Sequence, residues 1–314
     1  MAENTTNVYE NCSDLPFLNI FYIVGGVIIV IENVLMAVVI IRTPRLHSMA
    51  NIFVTSLAVA DAIVGFINVL TGVFFIIVTP GDWIFIKVIT AFYVCYMGST
   101  MGAYLHITII AIDRYLYIVH PFVYFKYVNQ RLAVTVLLAL WILMSVYMLT
   151  VAIILTEKPV CFVNDFMHLN IAYIDRCISM FILSVTFLAY FRIAALSLKH
   201  RQSIASVNVA VLSSSANASQ QENVRTGLSG DSWRHKWTTM RFYLVMTGSI
   251  AVMIFPMTIC TFISGFDVKI DDNVLNVFYL LPTLQSGFNV FINIFLNSDF
   301  KQAVYNLFLC RIVS

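Results

Sequence analysis

Seven runs of predominantly apolar residues, each long enough to cross a bilayer, constrain this chain more than any other feature. They are Phe17–Ile41, Ile52–Val78, Val88–Val119, Leu132–Leu155, Ile171–Leu198, Trp237–Phe266 and Val274–Leu296, separated by polar breaks. About 20 such residues in a helix cover the hydrocarbon, where every backbone polar group has to be satisfied inside the segment. The 314 residues are only 11% charged and 60% hydrophobic. A soluble domain carries about 25% charged residues, so too few charges remain here to cover a water-facing surface. This excludes a cytosolic enzyme, a nucleic-acid binder and a disordered chain. The expected fold is an all-α membrane protein, a seven-transmembrane helix bundle followed by a short amphipathic eighth helix over Asp299–Cys310.

Orientation follows from where the cations fall, because loops rich in Lys and Arg stay on the cytoplasmic side. With the N-terminus outside, 14 of the 18 Lys and Arg lie inside, leaving Lys87, Lys158, Arg176 and Lys269 outside. The sequons at Asn4 and Asn11 fall in the N-terminal tail, where glycosylation reaches them; the sequon at Asn217 falls inside and stays bare. The expected organisation is an extracellular tail over residues 1–16 and a seven-helix domain over 17–297. A cytoplasmic segment over 298–314 completes it, giving a multi-pass plasma-membrane protein with its C-terminus inside. The third inner loop, about 200–234, is rich in Ser, Asn, Gln and Gly and reads as a flexible linker. Cys310, beside Phe308 and Leu309, is a palmitoylation candidate as well as an ordinary cytosolic thiol.

Ionisable residues inside a membrane helix cost roughly 2.5–3.5 kcal/mol at its centre, so each is a functional candidate. Glu32 and Asn33 lie in the first span, Asp61 in the second, and Asp113, Arg114 and Tyr115 close the third. Gln285, Ser286, Asn289 and Asn293 occupy the seventh. Such groups also serve simply as interhelical glue. His106, inside the third span, reads as a satisfied core residue, and Cys95 as core. A transporter or channel would line a path with charges through several helices, yet the mid-membrane acids are Glu32 and Asp61. An intramembrane enzyme would need a nucleophile with its base or a metal cluster, and the six His are scattered.

In this order and spacing the residues resemble the rhodopsin-like (class A) G-protein-coupled receptors. The matches are Asn33, Leu57-Ala58-Val59-Ala60-Asp61, Asp113-Arg114-Tyr115, Trp141, Tyr190, Pro256, Asn289 and Phe295-Leu296-Asn297-Ser298-Asp299-Phe300. Glu32-Asn33, Leu46-His47-Ser48 and Ser56–Asp61 are most similar to the melanocortin, cannabinoid, lysophospholipid and adenosine receptors. The resemblance implies an extracellular ligand, an outward swing of the sixth helix and an inner cleft for a heterotrimeric G protein. Arrestin, receptor kinases and membrane lipid are the further partners it implies. Asp113, Arg114, Tyr115, Tyr190, Pro256, Asn289 and Asn293 would carry coupling and activation. Asn33, Asp61, Gln285 and Ser286 would form the mid-membrane polar network, with Asp61 a candidate sodium ligand and no other cofactor.

Several positions depart from the family pattern. Ile254 replaces the Trp two residues before Pro256, Val290 the usual Pro and Asn293 the usual Tyr of the seventh helix; Ile182 replaces a Pro and Lys236 an acid. The family ties the outer end of its third helix to the second outer loop by a disulfide. Ile89 stands at that Cys, and the pairing taken for Cys161 is Cys12. Tyr96 stands where amine receptors place an Asp, and Thr261 where adenosine receptors place an Asn. The resulting pocket, Tyr93, Tyr96, Thr100, Cys260, Thr261, Tyr279 and Thr283, is neutral and hydroxyl-bearing. It fits a small neutral or lipid-like ligand better than a biogenic amine. The acids Glu157, Asp165, Asp175, Asp267, Asp271 and Asp272 would make the outer loops acidic. The alternative, suggested by Ile254, Val290 and Asn293, is a non-coupling seven-helix receptor or heterodimer partner.

Overall fold

A computed structural model describes residues 16–78, 83–157, 170–214, 245, 248–249, 251–264, 266, 268 and 270–308. The helices are α1 Pro16–Arg42, α2 Met49–Ile77, α3 Trp83–Val119, α4 Gln130–Glu157 and α5 Asn170–Ser214. After them come α6 Ala251–Ser264, α7 Asp272–Leu296 and α8 Ser298–Phe308. A 3₁₀ turn, Pro44–Leu46, joins α1 to α2, and a short helix, Pro121–Tyr127, lies between α3 and α4. Among the described residues, five helices are long and apolar enough to cross a membrane, and two shorter apolar helices, Ala251–Ser264 and Leu280–Leu296, accompany them.

Wherever they are described, the expected spans fall on these helices apart from Val78 and Phe266, which lie past the ends of α2 and α6, and two boundaries move by more than three residues. α3 begins at Trp83 rather than Val88, and α5 continues to Ser214, sixteen residues past the expected end at Leu198. The first part of the segment read as a flexible inner loop is therefore helical. Lys199, His200 and Arg201 end the apolar run without ending the helix, because a polar helix can continue once it leaves lipid. The tail with Asn4, Asn11 and Cys12, the loop with Cys161, and Asn217, Lys236 and Cys310 lie outside the described residues.

Lipid tails are as apolar as Leu, so helices associate in a membrane through close packing and interhelical hydrogen bonds rather than a hydrophobic force. The α1–α2 pair shows the first device. A Cβ on Gly26 would sit 2.5 Å from the Gly65 carbonyl oxygen, and one on Gly65 would sit 2.8 Å from that of Gly26. Any side chain at either position would push the backbones apart. α3 is the most enclosed span, with 56% of its apolar stretch buried against 17% for α4, so α3 is the axis and α4 the flank. The inner core joins Met36, Leu57, Ile107 and Ile110 to Tyr190, Ile254 and Val290.

α2 starts at a capped end, where the Asn51 backbone N–H donates to Ser48 Oγ at 3.3 Å. α8 is amphipathic as expected. Phe300 and Ala303 are buried, with Val304 and Leu307 packed beside them, the i, i+3, i+4, i+7 pattern of one helical face. Its start is fixed by the Phe300 N–H donating to Asn297 Oδ1 at 3.2 Å.

Candidate functional site

Polar side chains gather at three depths in the bundle. Midway, Asp61 on α2 is fully buried. Ser286 Oγ donates to its Oδ1 at 2.8 Å and Asn289 Nδ2 donates to its Oδ2 at 2.8 Å. Gln285 Nε2 donates to Asn289 Oδ1 at 3.0 Å, and Asn293 Nδ2 donates to the Asn289 carbonyl at 2.8 Å. Asn33 reaches α7 by a different route, donating to the Ser286 carbonyl at 3.2 Å as well as to that of Ile29. The network is thus held to Asp61 by neutral donors from α7, and among the described residues no cationic side chain pairs with the carboxylate. Asn33 Oδ1 and Gln285 Oε1 are buried oxygens without a hydrogen-bond partner among the described residues. Carboxylate, hydroxyl and amide oxygens form the donor chemistry that suits a hard cation such as sodium.

At the inner end of α3, Arg114 Nη2 lies 2.8 Å from Asp113 Oδ2. The Tyr124 hydroxyl, on the short helix after α3, donates to Asp113 Oδ1 at 3.1 Å. Burial, the Asp113 charge and this hydrogen bond push the Tyr124 phenol up to about 12, so it stays a protonated donor. The Arg114 guanidinium also stands 5.6 Å from the centre of the Tyr117 ring. Tyr115 meets the His120 ring at 5.6 Å. Tyr190 and Ile254 are buried in the same inner core, while Pro256 lies within the continuous helix Ala251–Ser264.

Near the outer end, the structure brings together part of the expected pocket. Tyr96 Oη and Thr283 Oγ1 share a hydrogen bond of 3.3 Å between α3 and α7. Tyr96 and Cys260 belong to one buried cluster, with Tyr93 packed against it. Thr100 and Thr261 instead spend their hydroxyls on the carbonyls of Tyr96 and Met257, one turn back in their own helices. Tyr279 lies in α7, with its side chain outside the described set.

Two outer charges are placed differently from expectation. Asp175 and Arg176, read as a loop acid and an external cation, sit on α5 with relative exposures of 4% and 5%. They pair at 3.2 Å, and the Tyr147 hydroxyl from α4 donates to Asp175 Oδ1. Arg176 Nη2 also lies 4.0 Å from Met97 Sδ on α3. The physical reason is mutual neutralisation: a buried charge persists when paired and hydrogen-bonded. Both residues fall inside the apolar run Ile171–Leu198, but so near its outer end that the run alone does not tell a bundle-facing side chain from a water-facing one.

His106 is a satisfied core residue. Its Nδ1 lies 2.7 Å from the Gly102 carbonyl, which can only accept, so Nε2 of the neutral ring accepts from Ser56 Oγ at 2.8 Å. Trp141 Nε1 donates to the same Ser56 oxygen at 3.1 Å, joining α2, α3 and α4. Among the described residues no group of three or more His, Cys, Asp and Glu forms a metal cluster.

Comparison with known proteins accords with this arrangement. The family model of the seven-transmembrane receptors of the rhodopsin family matches residues 32–292. Human melanocortin receptor 3 is 30% identical over 122 residues, 37% of this chain and 38% of that protein. The Xenopus laevis melatonin receptor type 1C is 34% identical over 118 residues, covering 37% and 28%. A Drosophila melanogaster dopamine D2-like receptor is 26% identical over 147 residues, covering 45% and 16%. The chain thus spans well under half the length of the relatives it matches. With a family match over most of its length, the chain belongs to the rhodopsin family of seven-transmembrane receptors.

Proposed function

We infer that the protein is a signalling receptor that binds an extracellular ligand between the outer parts of α3, α6 and α7 and activates a heterotrimeric G protein. One observation carries this reading. A single face of α7 holds Thr283, Ser286, Asn289 and Asn293, spaced at three and four residues. The first touches Tyr96 near the outer end of α3, and the next two hold Asp61 in mid-bundle. A shift of α7 imposed from the pocket therefore reaches the Asp61 network through the same rigid element. A ligand changes the balance of states only by its differential affinity for them, and this stripe supplies contacts that differ when α7 moves.

The pocket chemistry favours a small neutral or lipid-like ligand. Tyr96 offers a hydroxyl where an amine would need an acid, and the neighbouring Asp175–Arg176 pair compensates its own charge. Asp61, Ser286 and Gln285 would hold a sodium ion, whose charge would stabilise the ionised carboxylate in the resting bundle. Arg114, held by Asp113 at rest, would be released to the G protein on activation. The N-terminus would lie outside and the C-terminus inside, with Asn4 and Asn11 glycosylated, Cys12 paired with Cys161 and Cys310 available for acylation.

The test is ligand-free signalling. Wild type and Arg114→Ala are expressed at matched surface levels, and cyclic AMP and calcium reporters are followed across several G proteins. A basal signal removed by Arg114→Ala is expected. Equal basal signals above the vector control would remove Arg114 from coupling; equal flat traces, with no G protein bound by purified receptor, would favour the non-coupling alternative.

A further inference from the structure

Along α5, Asp175, Arg176, Ser179, Ile182, Leu183 and Thr186 recur at three and four residues, and all six are buried. This face meets α3 in a steady register. Thr108 lies against Ile182 and Thr186, and Met97 against Arg176, at sequence separations of 74, 78 and 79. Tyr104 and Ser179 fall in the same register on the same seam. Helix side chains lean toward their N-terminus, so the Tyr104 ring leans toward Arg176, whose charge couples to its phenol.

The seam holds polar groups that the protein leaves unused. Tyr104 Oη and Ser179 Oγ are buried and have no hydrogen-bond partner among the described residues. Arg176 makes both of its contacts through Nη2, to Asp175 Oδ2 at 3.2 Å and to Met97 Sδ at 4.0 Å. A thioether is a weak acceptor, and at 4.0 Å it gives a guanidinium little. Methionine is unbranched and flexible, so Met97 covers Arg176 as a plug that another group can displace.

The guanidinium only donates, and both hydroxyls can donate, so the group that satisfies all three is an acceptor. Its charge is set by Asp175. The ion pair is already balanced, so a ligand carboxylate would enter uncompensated beside Asp175, and an ammonium would face Arg176. A carbonyl oxygen has two lone pairs and no net charge. It takes a charge-assisted bond from Arg176 and a second bond from Tyr104 or Ser179. Tyr93, Tyr96 and Tyr147 pack in the same cluster as Met97, so an aromatic body suits the space behind that carbonyl.

We propose that Arg176 is the polar anchor of the ligand site. An uncharged aromatic ligand sets its carbonyl oxygen on the guanidinium in place of the Met97 sulfur, and Tyr104 and Ser179 complete its hydrogen bonds. This rests on the receptor reading above and adds to it the ligand's acceptor group and its reach toward α5. Asp175, itself held by Tyr147, fixes the guanidinium before the ligand arrives, which lowers the ordering cost of binding.

The probe is benzamide, carbon-13 labelled at its carbonyl and added at millimolar concentration to nitrogen-15 arginine receptor in nanodiscs. Solid-state NMR reads the dephasing of a guanidinium nitrogen by the carbonyl carbon, which probe dissolved in lipid does not produce. Dephasing is expected in wild type and absent from Asp175→Leu/Arg176→Leu. Acetophenone, which keeps the carbonyl, should compete at least fivefold better than toluene, which lacks it. Carboxyl-labelled benzoate should give at least fivefold less dephasing than benzamide. Tyr104→Phe and Ser179→Ala should each weaken binding two- to threefold without lowering Tm, which a merely structural role would not do. The wild-type competition arm decides the matter even if the double variant folds poorly. No dephasing in wild type, dephasing that survives the double variant, equal competition by toluene, or benzoate equal to benzamide would each overturn the proposal. The readout needs no G protein, so a receptor that binds benzamide here and never couples would sink the signalling reading and leave the site standing.

Discussion

Asp61 and Asp175 are both carboxylates buried in an apolar bundle, yet they are held in opposite ways. Asp175 has a cation beside it, Arg176 at 3.2 Å, and a tyrosine hydroxyl from the neighbouring helix. Among the described residues Asp61 has only the neutral hydroxyl and amide of Ser286 and Asn289. A compensated charge is locked, because removing either partner strands the other. A carboxylate held by neutral donors keeps two alternatives open, protonation or a bound cation, and each changes how tightly α7 is drawn to α2. The first arrangement suits a fixed strut near the outer end of α5, and the second suits a movable contact at mid-membrane.

The largest test of this contrast is Arg176→Leu, which strands Asp175. It should cost about 3–5 kcal/mol, seen as a collapse of surface expression and a lower Tm of the solubilised receptor. The double variant Asp175→Leu/Arg176→Leu should recover most of that loss, since an apolar replacement of the whole pair is often neutral or better. Persistent collapse in the double variant would show that the pair is not a self-contained strut. Asp61→Asn should cost less, about 1–3 kcal/mol, because the amide keeps the Ser286 bond while weakening the Asn289 one. It should also abolish any sodium dependence of Tm, which Asp175→Leu/Arg176→Leu should leave intact.

Smaller effects sharpen the comparison at the bundle ends. Tyr124→Phe removes one donor from Asp113 and leaves Arg114 as its partner. A loss of about 0.5–1.5 kcal/mol is expected, with raised ligand-free signalling as the more sensitive readout. Tyr96→Phe removes the bond to Thr283, and interhelical hydrogen bonds of this kind average about 0.6 kcal/mol. Tm should barely move, and ligand potency should carry the change.

Much of this was legible in the sequence because the bilayer makes polarity expensive. Apolar length alone located α1 to α5 and α7, and the cost of a buried acid singled out Asp61, whose partners Ser286 and Asn289 share its depth. The failures have equally physical origins. Asp175 and Arg176 lie near a span end, where hydropathy cannot say whether a side chain faces the bundle or the water. The α5 extension to Ser214 was hidden because the expected end marked where apolar residues stop, which is not where helical hydrogen bonding stops. The separation of Glu32 from its neighbour Asn33 was also invisible. Adjacent helix residues point about 100° apart, so Asn33 faces the α7 backbone while Glu32 lines a cavity between α1 and α7.

If the proposed function holds, α7 transmits state between the outer contact Tyr96–Thr283 and Asp61, and a double-mutant cycle tests this coupling. Receptor-stimulated nucleotide exchange on purified G protein is measured in nanodiscs for wild type, Thr283→Val, Asp61→Asn and the double variant. If α7 is the common element, the two changes act on one equilibrium, and the double variant will depart from the product of the single effects by threefold or more. Strictly multiplicative effects would mean that the two sites are independent and that the α7 stripe couples nothing.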